Sequence, residues 1–264
     1  MNKNLVLLCD YGLDDAAATV HILDNRDKFE KIFILPVGGN MPLEVSHKNA
    51  HRLLYNYGEK LDNVTVVNTA SIPQFGEVLE GIHGFDGMGD ILPAEYECVV
   101  PEIGFDKWLE TADKDCTVVS VGPCTVTLKI LEKLGNVPLL IMGGRVNENA
   151  NFRGYEFNQC LDVEAFAECV KYPHAVGTLD SCHNPKCNFY DIDCSGDKLL
   201  NRLCRRSAEM SKDRGDKGSY IYDLITVRYL FAPERFEIEK ITDNEGNLLS
   251  MLRYVSDENV IDLQ

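Results

Sequence analysis

The stretch Leu5-Val-Leu-Leu-Cys-Asp10-Tyr-Gly-Leu-Asp14-Asp15-Ala-Ala-Ala18 breaks from an apolar run into three carboxylates within six residues. Leu5 to Cys9 has the length and composition of a buried strand, and Ala16 to Leu23 those of a helix opening at the acidic pair. Gly12 is the expected hinge, letting the chain turn sharply and approach a ligand. Acids at a helix start complement its dipole, which accounts for Asp14 and Asp15 but not for Asp10. A carboxylate at the end of a first buried strand lies where open α/β sheets bind ligands. Three like charges this close repel, and a hard cation held by oxygen ligands, calcium or magnesium, relieves them.

The chain alternates apolar runs with amphipathic segments throughout its 264 residues. Strands are expected at 32–37, 64–67, 117–121, 137–142 and 176–179, and helices at 43–57, 105 onward, 125–131, 162–170, 197–211 and 224–231. A hairpin of 236–241 and 248–255 and a short strand near Val260 close the pattern. This order implies an α/β fold, an open and mostly parallel central sheet flanked by helices, Rossmann-like, in one domain spanning residues 1–264. The segment 212–219, charged and glycine-bearing, is expected to be a loop.

With 42 acidic and 26 basic residues, the net charge of −16 repels nucleic acid and anionic membrane surfaces. A small neutral or cationic ligand fits better. The absence of a signal-like start and of a long apolar segment points to a soluble cytoplasmic protein. The ten cysteines are spread too thinly for a disulfide framework, and Cys182, Cys187, Cys194 and Cys204 with His183 match no zinc spacing, so reduced thiols are expected. His47 and His51 stand four apart on a helix, yet without the glutamate of a His-Glu-x-x-His motif they are expected to be exposed helix histidines.

Further glycine-bearing loops follow strands: Gly38-Gly39-Asn40, Ile82 to Asp90, Gly122-Pro123-Cys124-Thr125, and the long segment Gly143 to Asn158. The last combines amides, acids, arginines and aromatic rings, a mixture suited to fixing sugar hydroxyls and covering ring carbons, or equally an irregular surface loop.

Together these motifs resemble the inosine–uridine nucleoside hydrolase family of calcium-dependent nucleoside N-ribohydrolases, in family order from the amino terminus to about residue 236. Leu8-Cys-Asp10-Tyr-Gly-Leu-Asp14-Asp15 is similar to the family's Asp-x-Asp-Pro-Gly-x-Asp-Asp. Val37-Gly-Gly-Asn40, the Ile82-His83-Gly84 loop, Gly122-Pro-Cys-Thr125, Met142-Gly-Gly, Glu156-Phe157-Asn158 and Tyr222-Asp223 match further family stretches. The resemblance implies a nucleoside hydrolase fold with Ca2+ held by Asp10, Asp15, Asp223 and the carbonyl of Thr125. It implies a ribose site of Asp14, Asn40, Met142, Glu156, Phe157 and Asn158, with Asn149 or Asn151 added. It also implies that Asp10 takes a proton from an activated water in hydrolysis of a ribonucleoside to ribose and base, as part of purine or pyrimidine salvage. The family often forms dimers or tetramers, so the resemblance allows a homo-oligomer, and no feature of the sequence chooses between them.

Two departures bear on that expectation. Leu8 stands where the family has its first aspartate, and Tyr222 where many members have a histidine that protonates or orients the leaving base. A tyrosine keeps its proton at neutral pH and can donate a hydrogen bond, but exchanges it less readily. Leaving-group activation can then fall to Tyr222, to His83 or to strain in the substrate. A ribosyl-ligand binder without catalysis and a magnesium-dependent phosphohydrolase are the competing readings.

Overall fold

The computed structural model describes residues 3–72, 74–76 and 80–263. The described strands are β1 (Asn4–Cys9), β2 (Lys31–Pro36), β3 (Val64–Asn68), β4 (Glu102–Gly104), β5 (Cys116–Ser120), β6 (Leu139–Met142), β7 (His174–Gly177), β8 (Phe236–Thr242) and β9 (Leu248–Tyr254). They form one sheet in the order β4-β3-β2-β1-β5-β6-β7-β9-β8, parallel except for the β8–β9 hairpin. The helices are α1 (Leu13–Leu23), α2 (Leu43–Tyr57), α3 (Glu80–His83), α4 (Phe105–Thr111), α5 (Thr125–Leu134), α6 (Phe157–Leu161), α7 (Val163–Cys169), α8 (Leu179–Cys182), α9 (Leu199–Arg214) and α10 (Tyr222–Val227).

The expected α/β architecture is therefore the observed one. Strands β1, β5 and β6 are almost wholly buried, as parallel strands covered on both faces must be. Two apolar layers result. Leu5, Leu7 and Cys9 pack with α1, α9 and α10, while Val6 and Leu8 face the layer of α4, α5 and α7. Leu8, fully buried among Leu35, Val37 and Val118, is thus a core side chain in this protein.

Topology fixes where a ligand can bind. From β1 the chain moves outward through β2, β3 and β4, then returns to the other side of β1 for β5, β6 and β7. The order reverses between β1 and β5, and the carboxyl ends of these two strands open a crevice. Asp10 follows β1 directly, and Gly122 lies two residues past β5.

Several local expectations are corrected. The helix after β1 begins at Leu13 rather than Ala16, and Gly12 has an ordinary φ of −74°. The left-handed residue is Tyr11, at φ 48°, so Gly12 is required for space: a Cβ there would lie 2.8 Å from the His83 ring. Helix α9 runs through the start of the charged 212–219 segment to Arg214 and stops where Gly215, at φ 79°, forms a left-handed cap. The 224–231 helix begins at Tyr222 and passes into a 3-10 turn after Val227. No strand forms near Val260; its amide donates to the Lys186 carbonyl instead. Strand β4 has no counterpart in the expected pattern, because three residues at a sheet edge carry no readable periodicity. It also overturns the reading of the two helix histidines, since Glu102 on β4 accepts from both and His51 is buried.

Candidate active site

A cavity of about 690 Å³ opens beyond the carboxyl ends of the sheet, lined by Asp14 after β1, Asn40 after β2 and Met142 at the end of β6. Asp14 and Asp223 line it and, with the fully buried Asp15, bring carboxylate oxygens within 4.8 Å of one another. Asp14 and Asp15 arrive on the first turn of α1, and Asp223 on the first turn of α10, which packs along α1. Asp15 is also structural: its two oxygens accept from the Asp10 and Gly12 amides at 3.0 and 2.9 Å, pinning the turn between β1 and α1.

Asp10 is completely buried, with one carboxylate oxygen accepting from the Asn40 amide at 2.6 Å and the other from the Asn40 side chain at 3.0 Å. Backbone and side chain approach this closely because Gly39 has no Cβ; one there would sit 1.9 Å from Asp10 Oδ2. Burial pushes the Asp10 carboxyl up to about 7, aided by the charge of Asp14 and opposed by its hydrogen bonds. Burial likewise raises Asp15, with the charges of Asp10 and Asp14 adding to it, and raises Asp223, with those of Asp14, Asp15 and Asp10. Oδ1 of Asp14 and Oδ2 of Asp223 are buried without a hydrogen-bond partner. Crowded, dehydrated carboxylates with unpaired oxygens are a donor set that a hard divalent cation would satisfy.

His83 is held at both nitrogens. The Leu13 amide donates to Nδ1 at 3.1 Å, so the ring proton is on Nε2, which faces Asn40 Oδ1 at 3.1 Å. Burial lowers its pKa. The neutral ring orients Asn40, which in turn orients Asp10, and no proton is left over for a ligand.

On the opposite wall, Glu156 caps α6 by accepting from the Asn158 and Gln159 amides at 3.0 and 2.9 Å, and from the Gly144 amide at 3.1 Å. Burial raises its carboxyl to about 7 despite these bonds. The Asn158 amide nitrogen is tied to the Val121 carbonyl at 2.8 Å, while its Oδ1 is buried and unpaired. Met142 and Phe157 supply apolar surface beside them. Of the two asparagines left as alternatives, Asn151 lines the cavity and Asn149 does not. Thr125 is likewise absent from the lining; it opens α5, and its hydroxyl donates to Asp162 at 2.7 Å.

Beside Asp223 the cavity wall contains a constellation that the sequence did not reveal. Tyr222 Oη lies 2.9 Å from His183 Nε2, and His183 Nδ1 lies 3.0 Å from Glu148 Oε2. Tyr220 packs against the same imidazole at a centroid distance of 4.6 Å. Burial, with the neighbouring Cys182 and Asp14, holds the Tyr222 hydroxyl well above its ordinary pKa. His183 follows α8 and Glu148 belongs to the loop after β6, so 35 and 39 residues separate consecutive members and no local motif links them. The four cysteines weighed with His183 as zinc ligands are buried free thiols in the α1–α9–α10 layer.

Known proteins resemble this chain in sequence and in fold. The chain is 27% identical over 263 residues to the pyrimidine-specific ribonucleoside hydrolase RihA of Shigella boydii, covering 88% of this chain and 80% of that one, and RihA of Escherichia coli matches to the same extent. Among solved structures, a purine-preferring ribonucleoside hydrolase from Gardnerella vaginalis superposes with a TM-score of 0.72 at 20% identity, covering 96% of this chain and 93% of that one. An inosine-guanosine nucleoside hydrolase gives 0.71 at 22%, with 95% and 87% covered. A profile of the family described as inosine-uridine preferring nucleoside hydrolase matches residues 5–254. That match spans nearly the whole chain, from the strand before Asp10 to the end of the sheet, and the chain belongs to this family of nucleoside N-ribohydrolases.

Proposed function

We propose that this enzyme is a calcium-dependent hydrolase of ribonucleosides that protonates the leaving base through a Tyr222–His183–Glu148 relay. The observation that carries the reading is the convergence of a dehydrated acidic cup and a hydrogen-bonded chain of Tyr222, His183 and Glu148 on one cavity.

Asp10, Asp15, Asp223 and the Thr125 carbonyl would hold the cation, with Asp14 beside them; oxygen-only donors and high carboxylate count favour calcium over a transition metal. When bound, calcium supplies positive charge that anchors the ribose diol and acidifies water. Asp10 accepts the proton of the attacking water, and the cation beside it would keep its buried carboxyl ionised for that role. Asn40, fixed by His83, keeps that carboxylate aimed. Asn158 and Glu156 hold ribose hydroxyls, Asn151 closes over the sugar, and the surrounding negative charge stabilises its oxocarbenium-like transition state.

The departing base leaves with the electron pair of the N-glycosidic bond and needs a proton. Tyr222 donates it and is reprotonated from His183 Nε2, while Glu148 stabilises the imidazolium at Nδ1. The histidine that many family members place at position 222 is thus supplied from α8. The pyrimidine-specific relatives make uridine and cytidine the first substrates to assay. Ten free thiols support a reducing, cytoplasmic setting, and no helix among the described residues is long and apolar enough to cross a membrane.

Ribose release from uridine, cytidine, inosine and guanosine, with calcium and with a chelator, tests the proposal. Chelator-sensitive release that disappears in Asp10→Ala is expected. Release indifferent to both would overturn the mechanism, and tight nucleoside binding without turnover would make the protein a ribosyl-ligand binder.

A further inference from the structure

The two histidines of α2 form a second cluster, with Glu102 of the edge strand β4, apart from the acidic cup. His47 and His51 are one helical turn apart and both direct Nε2 at the same oxygen, Oε2 of Glu102, at 3.2 and 2.9 Å. All three donor atoms lie within 4.8 Å of one another. Tetrahedral coordination with bonds of about 2.0–2.1 Å places adjacent donors about 3.3 Å apart, so two of the three edges are near the spacing that a bound ion imposes.

The surroundings match a metal site in other respects. The second oxygen of Glu102 accepts from Asn68 Nδ2 at 3.0 Å, which fixes the carboxylate from behind as outer partners of ligating carboxylates do. Register explains why the group meets: β4 pairs with β3 so that Glu102 lies opposite Val66 and Gly104 opposite Asn68, presenting the glutamate to the face covered by α2. His51 is buried with a side-chain exposure of 3%, whereas His47 and Glu102 are at 28% and 36%, leaving an entry path and room for water. Two imidazoles and one carboxylate are a donor set that prefers a borderline ion such as zinc to calcium or magnesium.

We propose that His47, His51 and Glu102 bind one zinc ion, or a similar divalent transition ion, with water in the fourth position. The ion would clamp edge strand β4 to α2. That helix also carries Asn49 and Arg52, which hold the loop behind His83 through the Asp86 carbonyl and carboxylate, so the clamp stiffens a wall of the active-site cavity without entering it.

The test uses tag-free, full-length protein saturated with calcium. Isothermal titration with Zn2+, and visible absorption with Co2+ as the spectroscopic probe, should show one site per chain that excess calcium does not displace. Asn68→Ala should weaken the site by about 10-fold, the lower end of outer-partner effects. His51→Gln should abolish it; His47→Gln, at the more exposed position, should do the same without endangering the fold, as circular dichroism would verify. Absence of binding in the wild type, retention of the site in folded His47→Gln, or displacement by calcium would each overturn the proposal. None of these readouts depends on nucleoside hydrolysis.

Discussion

Replacing Tyr222 by phenylalanine removes one oxygen and separates two roles for this side chain. The ring stays in place, packed beside His183 at a centroid distance of 5.8 Å, and the acidic cup is untouched. If the hydroxyl only orients the base or the imidazole, its loss removes one neutral hydrogen bond, about 0.5–1.5 kcal/mol, and slows turnover roughly 2- to 13-fold. If it delivers the proton, the loss is that of a general acid, about 10²–10⁴-fold, or roughly 3–5 kcal/mol of barrier. The relay therefore requires kcat on uridine to fall at least about 100-fold in Tyr222→Phe. The assay pairs uridine with p-nitrophenyl riboside, whose phenolate leaves without protonation. The variant should hydrolyse that substrate at nearly the wild-type rate, because ribose binding and water activation are intact. An equal loss on both substrates, or a loss under 10-fold on uridine, would refute proton delivery through Tyr222. His183→Gln should show the same selective loss.

Chelation makes stability sensitive to pH. A carboxyl such as Asp10 that titrates near 7 rather than near 4 favours folding while it is protonated, so its contribution is complete below about pH 4 and is lost as pH rises through 7, up to about 4 kcal/mol. Melting temperature in EDTA should therefore fall between pH 5 and 8, and calcium should flatten the slope; a flat or rising profile in EDTA contradicts the electrostatics of the cup. Gly39→Ala, whose Cβ would meet Asp10 Oδ2 at 1.9 Å, should cost about 1–3 kcal/mol by chemical denaturation and most of the activity, and a wild-type-like variant would mean that Asp10 is free to move. His83→Gln, able to keep only one of the two ring contacts, should lower kcat on uridine and on p-nitrophenyl riboside alike, since its effect passes through Asn40 to Asp10; a loss confined to uridine would instead make His83 a proton donor to the base.

The parts of this protein that were legible in its sequence are those where one short segment carries the whole signal. The run from Leu5 to Asp15 encodes a buried strand, a turn and a helix start, and its clustered acids point to a cation as the simplest remedy for their repulsion. Helix α2 spans the expected Leu43–Tyr57 because its apolar spacing is a strong local cue. Strand β4 and the final turns around Val260 were not legible, since their conformation depends on neighbours rather than on periodicity. Gly12 shows a subtler failure: a glycine beside a sharp turn suggested backbone freedom, whereas the turn is made by Tyr11 and the glycine is there to admit His83.

The same distinction explains why the site was half visible. Asp10, Asp14 and Asp15 lie within one turn, and Glu156 and Asn158 within another, so each group announces itself. The proton chain does not. Tyr222 alone looked like a lost acid, because a tyrosine at a histidine position exchanges its proton poorly. Its meaning changes once His183 and Glu148 stand behind it at 2.9 and 3.0 Å, for the imidazole can then carry the charge that a tyrosine cannot. Judged by its own chemistry the residue is a defect; judged by its hydrogen-bond partners it is the inner end of a three-residue chain that the proposed relay would use. The histidines of α2 follow the same logic, acquiring their acid only when an edge strand brings Glu102 to them. In both places the deciding carboxylate comes from a distant segment, which is why spacing along the chain could not supply it.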